Sequence, residues 1–209
     1  MEIPVVCSKK KDMRASWKKI SIVTLVLLGI AGGILYFALR PVKVTVPADF
    51  TTARSGAASV SQDIVSLTEQ TDKTIQEVNT AQTLGNTDQV LGLIDSARNS
   101  NAQAYAKAME LSDDLQHMTE SLSQISSRAS QQTAYNAIAI ELSLTSEFIT
   151  YTGALNDFLN TLAKTVTVGG FETQKELSDK LAIVNEKVAS INNLNGQFNE
   201  KMREFDASL

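Results

Sequence analysis

Apolar residues follow two patterns along this chain. Over residues 20–39 they are nearly continuous. The stretch "KKISIVTLVLLGIAGGILYFALRP" starts at Lys18, and its residues 20–39 carry no charge. A helix of that length rises about 30 Å, the depth of a bilayer's hydrocarbon core. From about residue 51 onward, apolar residues instead recur at steps of three and four, the spacing of helices that bury one face.

The second pattern predicts four helices, at about 51–84, 87–127, 132–166 and 173–207. The first carries a seam from Ala53 and Ala57 through Val60, Ile64, Leu67, Thr71 and Thr74 to Val78 and Ala81. The second seam runs from Val90 and Ile94 through Ala97, Asn101, Ala104, Ala108, Leu111 and Leu115 to Met118, Leu122, Ile125 and Ala129. Alternating steps of four and three mark left-handed supercoiled packing. The third helix has two stripes, one of Ile138, Leu142 and Ile149, the other from Leu144 and Phe148 to Phe158 and Leu162. The fourth follows Leu177, Leu181, Val184, Val188, Ile191, Asn195, Phe198, Met202 and Phe205.

Helix boundaries follow from local chemistry. Pro41 and Pro47 flank alternating valines in "RPVKVTVPADF", which reads as an extended linker over 40–50. Asp49 or Thr51 can then cap the first helix. Gly85 suits a left-handed helix end, with Asn86 or Thr87 as the next cap. A break is expected near Ser127 and Gln131, where the seam fails and serines cluster. "TQKE" reads as a capping box, Thr173 with Glu176. The expected fold is all-α: one N-terminal transmembrane helix, then an up-down-up-down four-helix bundle over 51–209 with coiled-coil-like packing.

The first pattern reads as an uncleaved anchor. It is longer than a secretory h-region, and it ends "FALRPVK" without a small-x-small cleavage site. Lys9, Lys10, Lys11, Arg14, Lys18 and Lys19 precede it, so tail 1–19 is expected in the cytoplasm and residues 40–209 outside the cell membrane. Gly29 and Gly33 form G-x-x-x-G, which lets a second span approach closely and makes a homodimer one expectation.

Charge separates the two sides. Residues 1–19 hold six basic and two acidic groups, and residues 40–209 hold 13 and 21. The acidic outer part offers no basic patch for nucleic acid. Cys7 is the only cysteine, so no internal disulfide forms. The chain has no N-x-Ser/Thr sequon, which points to a bacterial surface protein.

Candidate chemistry is sparse. There is no phosphate loop, G-x-S-x-G or H-E-x-x-H motif, so neither an enzyme nor a cofactor is expected. His117, in "ELSDDLQH", is turned outward by the seam around it and lacks a second histidine for a di-iron site. Glu141 is expected on the solvent side, and Tyr105, Tyr135 and Tyr151 as packing or rim residues. Thr71, Asn101, Thr152 and Asn195 are expected as a structural polar layer in the core, since seam asparagines fix register.

In layout the chain resembles the outer region of bacterial chemoreceptors and sensor kinases: a basic tail, a span, then a bundle. Such receptors re-enter the membrane after the fourth helix, and "EFDASL" holds no second span, so membership is not implied. The expectation is a noncatalytic, membrane-anchored envelope module that binds another protein. The alternative is a sensor-like accessory that binds a small ligand.

Overall fold

The computed structural model describes residues 46–83 and 85–209. The expected tail, the span with Gly29 and Gly33, Cys7 and linker residues 40–45 lie outside the described residues. No helix among the described residues is long and apolar enough to cross a membrane.

Four long helices form a bundle, with no strand among the described residues: α1 (Ala48–Thr83), α2 (Thr87–Ser121), α3 (Arg128–Thr167) and α4 (Phe171–Ala207). α1 starts earlier than expected. The Pro47 carbonyl already accepts the Thr51 amide at 3.1 Å, so Ala48, Asp49 and Phe50 are helical rather than linker. Gly85 takes φ +76° in the first turn, a left-handed conformation that costs glycine little. Asn86 then caps α2 by accepting from the Gln89 amide, and its own amide donates to Gln89 Oε1.

The second turn falls slightly before its expected place. Leu122–Gln124 tightens into a 3-10 turn and Ile125 becomes extended. Ser127 caps α3 by accepting from the Ser130 amide. Gln131 closes the turn by donating to the carbonyls of Ile125 and Ser123. Ala129, expected in the α2 seam, is exposed at the start of α3. The third turn corrects the capping box. Gly169 and Gly170 both have positive φ and start α4 at Phe171, two residues early. Thr173 is thereby inside the helix and donates back to the Gly169 and Gly170 carbonyls. Glu176 pairs with Lys164 instead, at 3.0 Å.

Consecutive helices run antiparallel. Lys107 of α2 reaches Asp63 of α1 at 3.1 Å, and Asp114 lies over Gly56, where a Cβ would meet its carboxylate at 3.0 Å. Lys164–Glu176, Lys180–Asp157 and Lys187–Glu147 fix α3 against α4 in the same opposed sense. The α1–α2 and α3–α4 pairings are the most extensive, then α2–α3. α1 and α4 make no comparably extended contact. Side chains close that side at one end: Phe50 and Phe205 rings lie 5.9 Å apart, and Arg54 reaches Asp206 at 3.3 Å.

The core follows the expected seams of α2 and α4, with Leu177 and Leu181 half-buried. It differs on two helices. α1 buries a second stripe of Ala58, Ser61, Val65, Thr68, Asp72 and Ile75 beside the expected one. On α3 the stripe of Ile138, Leu142 and Ile149 is corrected, because Leu142 is exposed and Ile149 only half-buried. Its place is taken by Ile138, Thr145, Thr152 and Leu159, spaced by seven.

The ring contact at the α1–α4 edge makes a direct prediction. Phe205→Ala should lower unfolding stability by about 3–5 kcal/mol, the usual cost of removing a buried phenyl group. Arg203→Ala, at an exposed site two residues from Phe205, should change it by less than about 0.5 kcal/mol. Urea denaturation followed by circular dichroism measures both.

Candidate functional site

Hydroxyl side chains take up much of this core. Thr68, Thr71, Thr74, Thr145, Thr152 and Thr161 are all buried. Most satisfy themselves locally: Thr68 donates to the Ile64 carbonyl at 2.7 Å, Thr71 to Leu67 at 2.8 Å, Thr74 to Gln70 at 2.8 Å and Thr145 to Glu141 at 2.8 Å. A carbonyl one turn back accepts such a hydroxyl without disturbing the helix greatly. These residues therefore fill space as small side chains with no polar partner on another helix.

Asn101 is different. Its amide donates across the α2–α3 interface to the Thr152 carbonyl at 2.8 Å, in a buried setting. The register set by Lys107–Asp63 places Thr71 at about the same height on α1. Asn195 stands elsewhere. It lies beyond Lys187, opposite the part of α3 before Glu147, whereas Thr152 lies after Glu147. The Asn195 side-chain oxygen Oδ1 accepts from Asn199 Nδ2 at 3.1 Å. The four-residue layer is therefore corrected to one cross-helix bond with Thr71 level with it, because antiparallel register carries Asn195 past it.

Glu141 is the main correction. It was expected to face solvent, and it is 2% exposed. It lies on the line Ala134, Glu141, Phe148, Leu155 and Leu162, all buried. Neither carboxyl oxygen has a hydrogen-bond partner. Burial pushes its pKa from 4.5 up to about 7. The group lines two small cavities. The larger, about 30 Å³, is walled by Ala57, Leu115, Met118, Ile138, Phe198 and Met202, with Arg54 at its edge. The smaller, about 10 Å³, includes Ser61, Ala108, Leu111 and Thr145. Small residues on α1 and α2 make this room. Arg54 does not neutralise the carboxylate, since its guanidinium turns to Asp206. Ser61 is 1% exposed, and its hydroxyl also lacks a partner.

The remaining candidates are peripheral. His117 is exposed and faces Glu120 at 3.4 Å, while Glu110 pairs with Lys107. Among the described residues, no three His, Cys, Asp or Glu side chains gather into a metal-holding group. Tyr151 is buried against Phe148, with ring centroids 5.6 Å apart. Burial, then the charge of Asp72, pushes its hydroxyl well above the usual phenol range. Tyr105 and Tyr135 are exposed.

No family model matches the chain, and no curated protein or solved structure shows significant similarity to it. The site is therefore read from its own geometry.

Asn101→Ala should cost about 1–3 kcal/mol in unfolding stability, through loss of the cross-helix hydrogen bond. Glu141 should impose a pH dependence. The unfolded carboxyl ionises near 4.5 and the folded one near 7. Below the lower value both states are protonated and there is no penalty. As pH rises the unfolded state releases its proton first, so stability falls by about 3 kcal/mol in total and levels off above the higher value. Thermal and urea unfolding across that range should show this fall in the native chain and its loss in Glu141→Gln.

Proposed function

We propose that this chain is a noncatalytic, membrane-anchored module of the cell envelope whose bundle docks another protein. The bundle is read as up-down-up-down with coiled-coil-like packing, held outside the membrane by the apolar run 20–39. The observation that carries the docking reading is an exposed apolar strip along the outer α2–α3 flank.

The strip follows from helix geometry. On α2, Asn101, Ala108 and Leu115 form a buried line. Lys107 and Asp114, each one residue before a member of that line, face α1. Tyr105 and Met109 lie on the other side of the line, toward α3. On α3, Glu147 marks the edge facing α4. Tyr135, Leu142 and Ile149, spaced by seven, lie along the opposite edge, beside α2. Tyr105, Met109, Tyr135 and Leu142 are each at least 40% exposed. Scattered apolar residues are ordinary on a surface, but a contiguous strip marks an interaction site. A ridge between two antiparallel helices suits an amphipathic helix from a partner, whose apolar face would bury it.

A second reading, a ligand-binding accessory, is favoured by the cavities at Glu141. Small-molecule sites are enclosed apolar spaces with few placed polar groups.

The docking reading is tested in cells with the full chain carrying a photocrosslinker at position 109. Adducts to one partner should form there, should not form from exposed position 175 on α4, and should fall at least about tenfold with Leu142→Asp, circular dichroism showing that this variant is folded. Equal adducts from both positions, or adducts indifferent to Leu142→Asp, would refute the strip as a docking site. Release of the chain from membranes by alkaline wash would refute the anchor.

A further inference from the structure

We propose that Glu141 anchors a binding site for a small primary ammonium ion inside the bundle. This rests on the ligand-binding reading of the chain and not on the docking strip.

Inside a helix the main chain offers a side chain only carbonyl acceptors, one turn back. Buried hydroxyls use them, as Thr145 does on the Glu141 carbonyl itself. An ionised carboxylate accepts hydrogen bonds and cannot donate them. No side chain supplies a donor to it: the lining residues from α1, α2 and α4 are apolar except Ser61 and Arg54, Arg54 is held by Asp206, and Thr145 of α3 spends its hydroxyl on the Glu141 carbonyl. Both Glu141 oxygens and the Ser61 hydroxyl oxygen are buried without partners. The site thus presents one negative charge and three acceptor oxygens, and what is missing is a cation with donors.

A primary ammonium group has one positive charge and three N–H donors, which matches that set. Its carbon substituent would lie against Met118, Ile138, Phe198 and Met202 in the larger cavity. Phe198 adds an aromatic ring to that lining, and methionine side chains adapt to the shape of a guest. The size limit is strict. About 30 Å³ of space takes one or two water-sized groups, so methylammonium fits and a long-chain amine does not without opening the bundle. Hard metal ions are poorly served, since they call for six or more oxygen ligands. A quaternary ammonium has the charge but no N–H donor. Access is through the α1–α4 side, where the helices are least closely paired and Arg54, Ala57, Phe198 and Met202 border the larger cavity.

The experiment uses the full chain in mild detergent, with thermal unfolding and titration calorimetry at about pH 8, where the carboxyl is ionised in the folded state. The probes are methylammonium chloride, sodium chloride and tetramethylammonium chloride at equal ionic strength. Methylammonium alone should raise the unfolding midpoint, saturably. Its affinity should fall at least tenfold in Glu141→Gln, severalfold in Ser61→Ala, and at least tenfold at about pH 5, where Glu141 is protonated. Circular dichroism confirms that each variant is folded. Equal shifts with sodium and methylammonium that vanish in Glu141→Gln would overturn the ammonium assignment and leave the ligand-binding reading standing. No saturable shift with any probe, in a folded native chain, would overturn both.

Discussion

The bundle depends on an asymmetry of the helical main chain: within the core it has acceptors to give and no donors. Every buried side chain must come to terms with that. Threonine and serine can, because a hydroxyl donates to the carbonyl a turn behind it, as at Thr68, Thr71 and Thr74. The core can therefore be lined with hydroxyls and still need few bonds between helices. Asparagine can do so by reaching a neighbouring helix, as Asn101 reaches the Thr152 carbonyl. A carboxylate brings only acceptors to an environment of acceptors, so it needs a side-chain donor: Gln76 supplies one to Asp72 at 2.8 Å, and nothing supplies one to Glu141. Glu141 and Thr145 beside it obey one rule with opposite results.

Why the chain tolerates Glu141 inside is a question of competing magnitudes. Glu141 and Leu142 are neighbours, and the bundle buries the charged one and exposes the apolar one. Turning α3 by about one residue would exchange them. That turn would also carry the line Leu144, Tyr151 and Phe158 out of the core. Each large side chain gains about 1.5–3 kcal/mol from burial. Three of them outweigh one leucine together with the roughly 3 kcal/mol cost of a carboxyl shifted to about 7. The rotation of α3 is set by its large residues, and Glu141 is carried inward with them.

Much of the fold was legible in the residues. The seams of α2 and α4 are continuous in apolar spacing, so their buried faces could be read directly, Asn101 and Asn195 included. Glycines at 85 and 169–170 marked two turns by their conformational freedom. The second stripe of α1 was hidden because Ser61, Thr68 and Asp72 break its apolar pattern, and a hydroxyl that bonds its own helix is as buriable as an alanine. The capping box at Thr173 was plausible locally, yet two glycines let the helix begin before it. Asn195 was misplaced because seam membership says nothing about height, which depends on antiparallel register across turns. Glu141 did carry a signal: it lies seven residues before Phe148 and fourteen before Leu155, on a line already read as core. The general rarity of buried glutamate outweighed that spacing.

The inversion at Glu141 and Leu142 also links the two faces of α3 in one physical account. Sequences usually agree across levels, with pattern, packing and polar satisfaction pointing the same way, and they break agreement where function asks for it. Here one rotation of one helix breaks it twice. It leaves an acceptor without donors in the core, at a point where Ala57, Ser61 and Ala108 are small enough to leave space. It also leaves Leu142 outside, in line with Tyr135 and level with Met109 across the α2–α3 boundary. A guest that satisfied Glu141 would remove the main penalty on the present rotation and so hold Leu142 outward. The burial of Glu141 and the exposure of Leu142 are thus one geometric choice of α3, and the carboxyl's penalty of about 3 kcal/mol is what that choice costs.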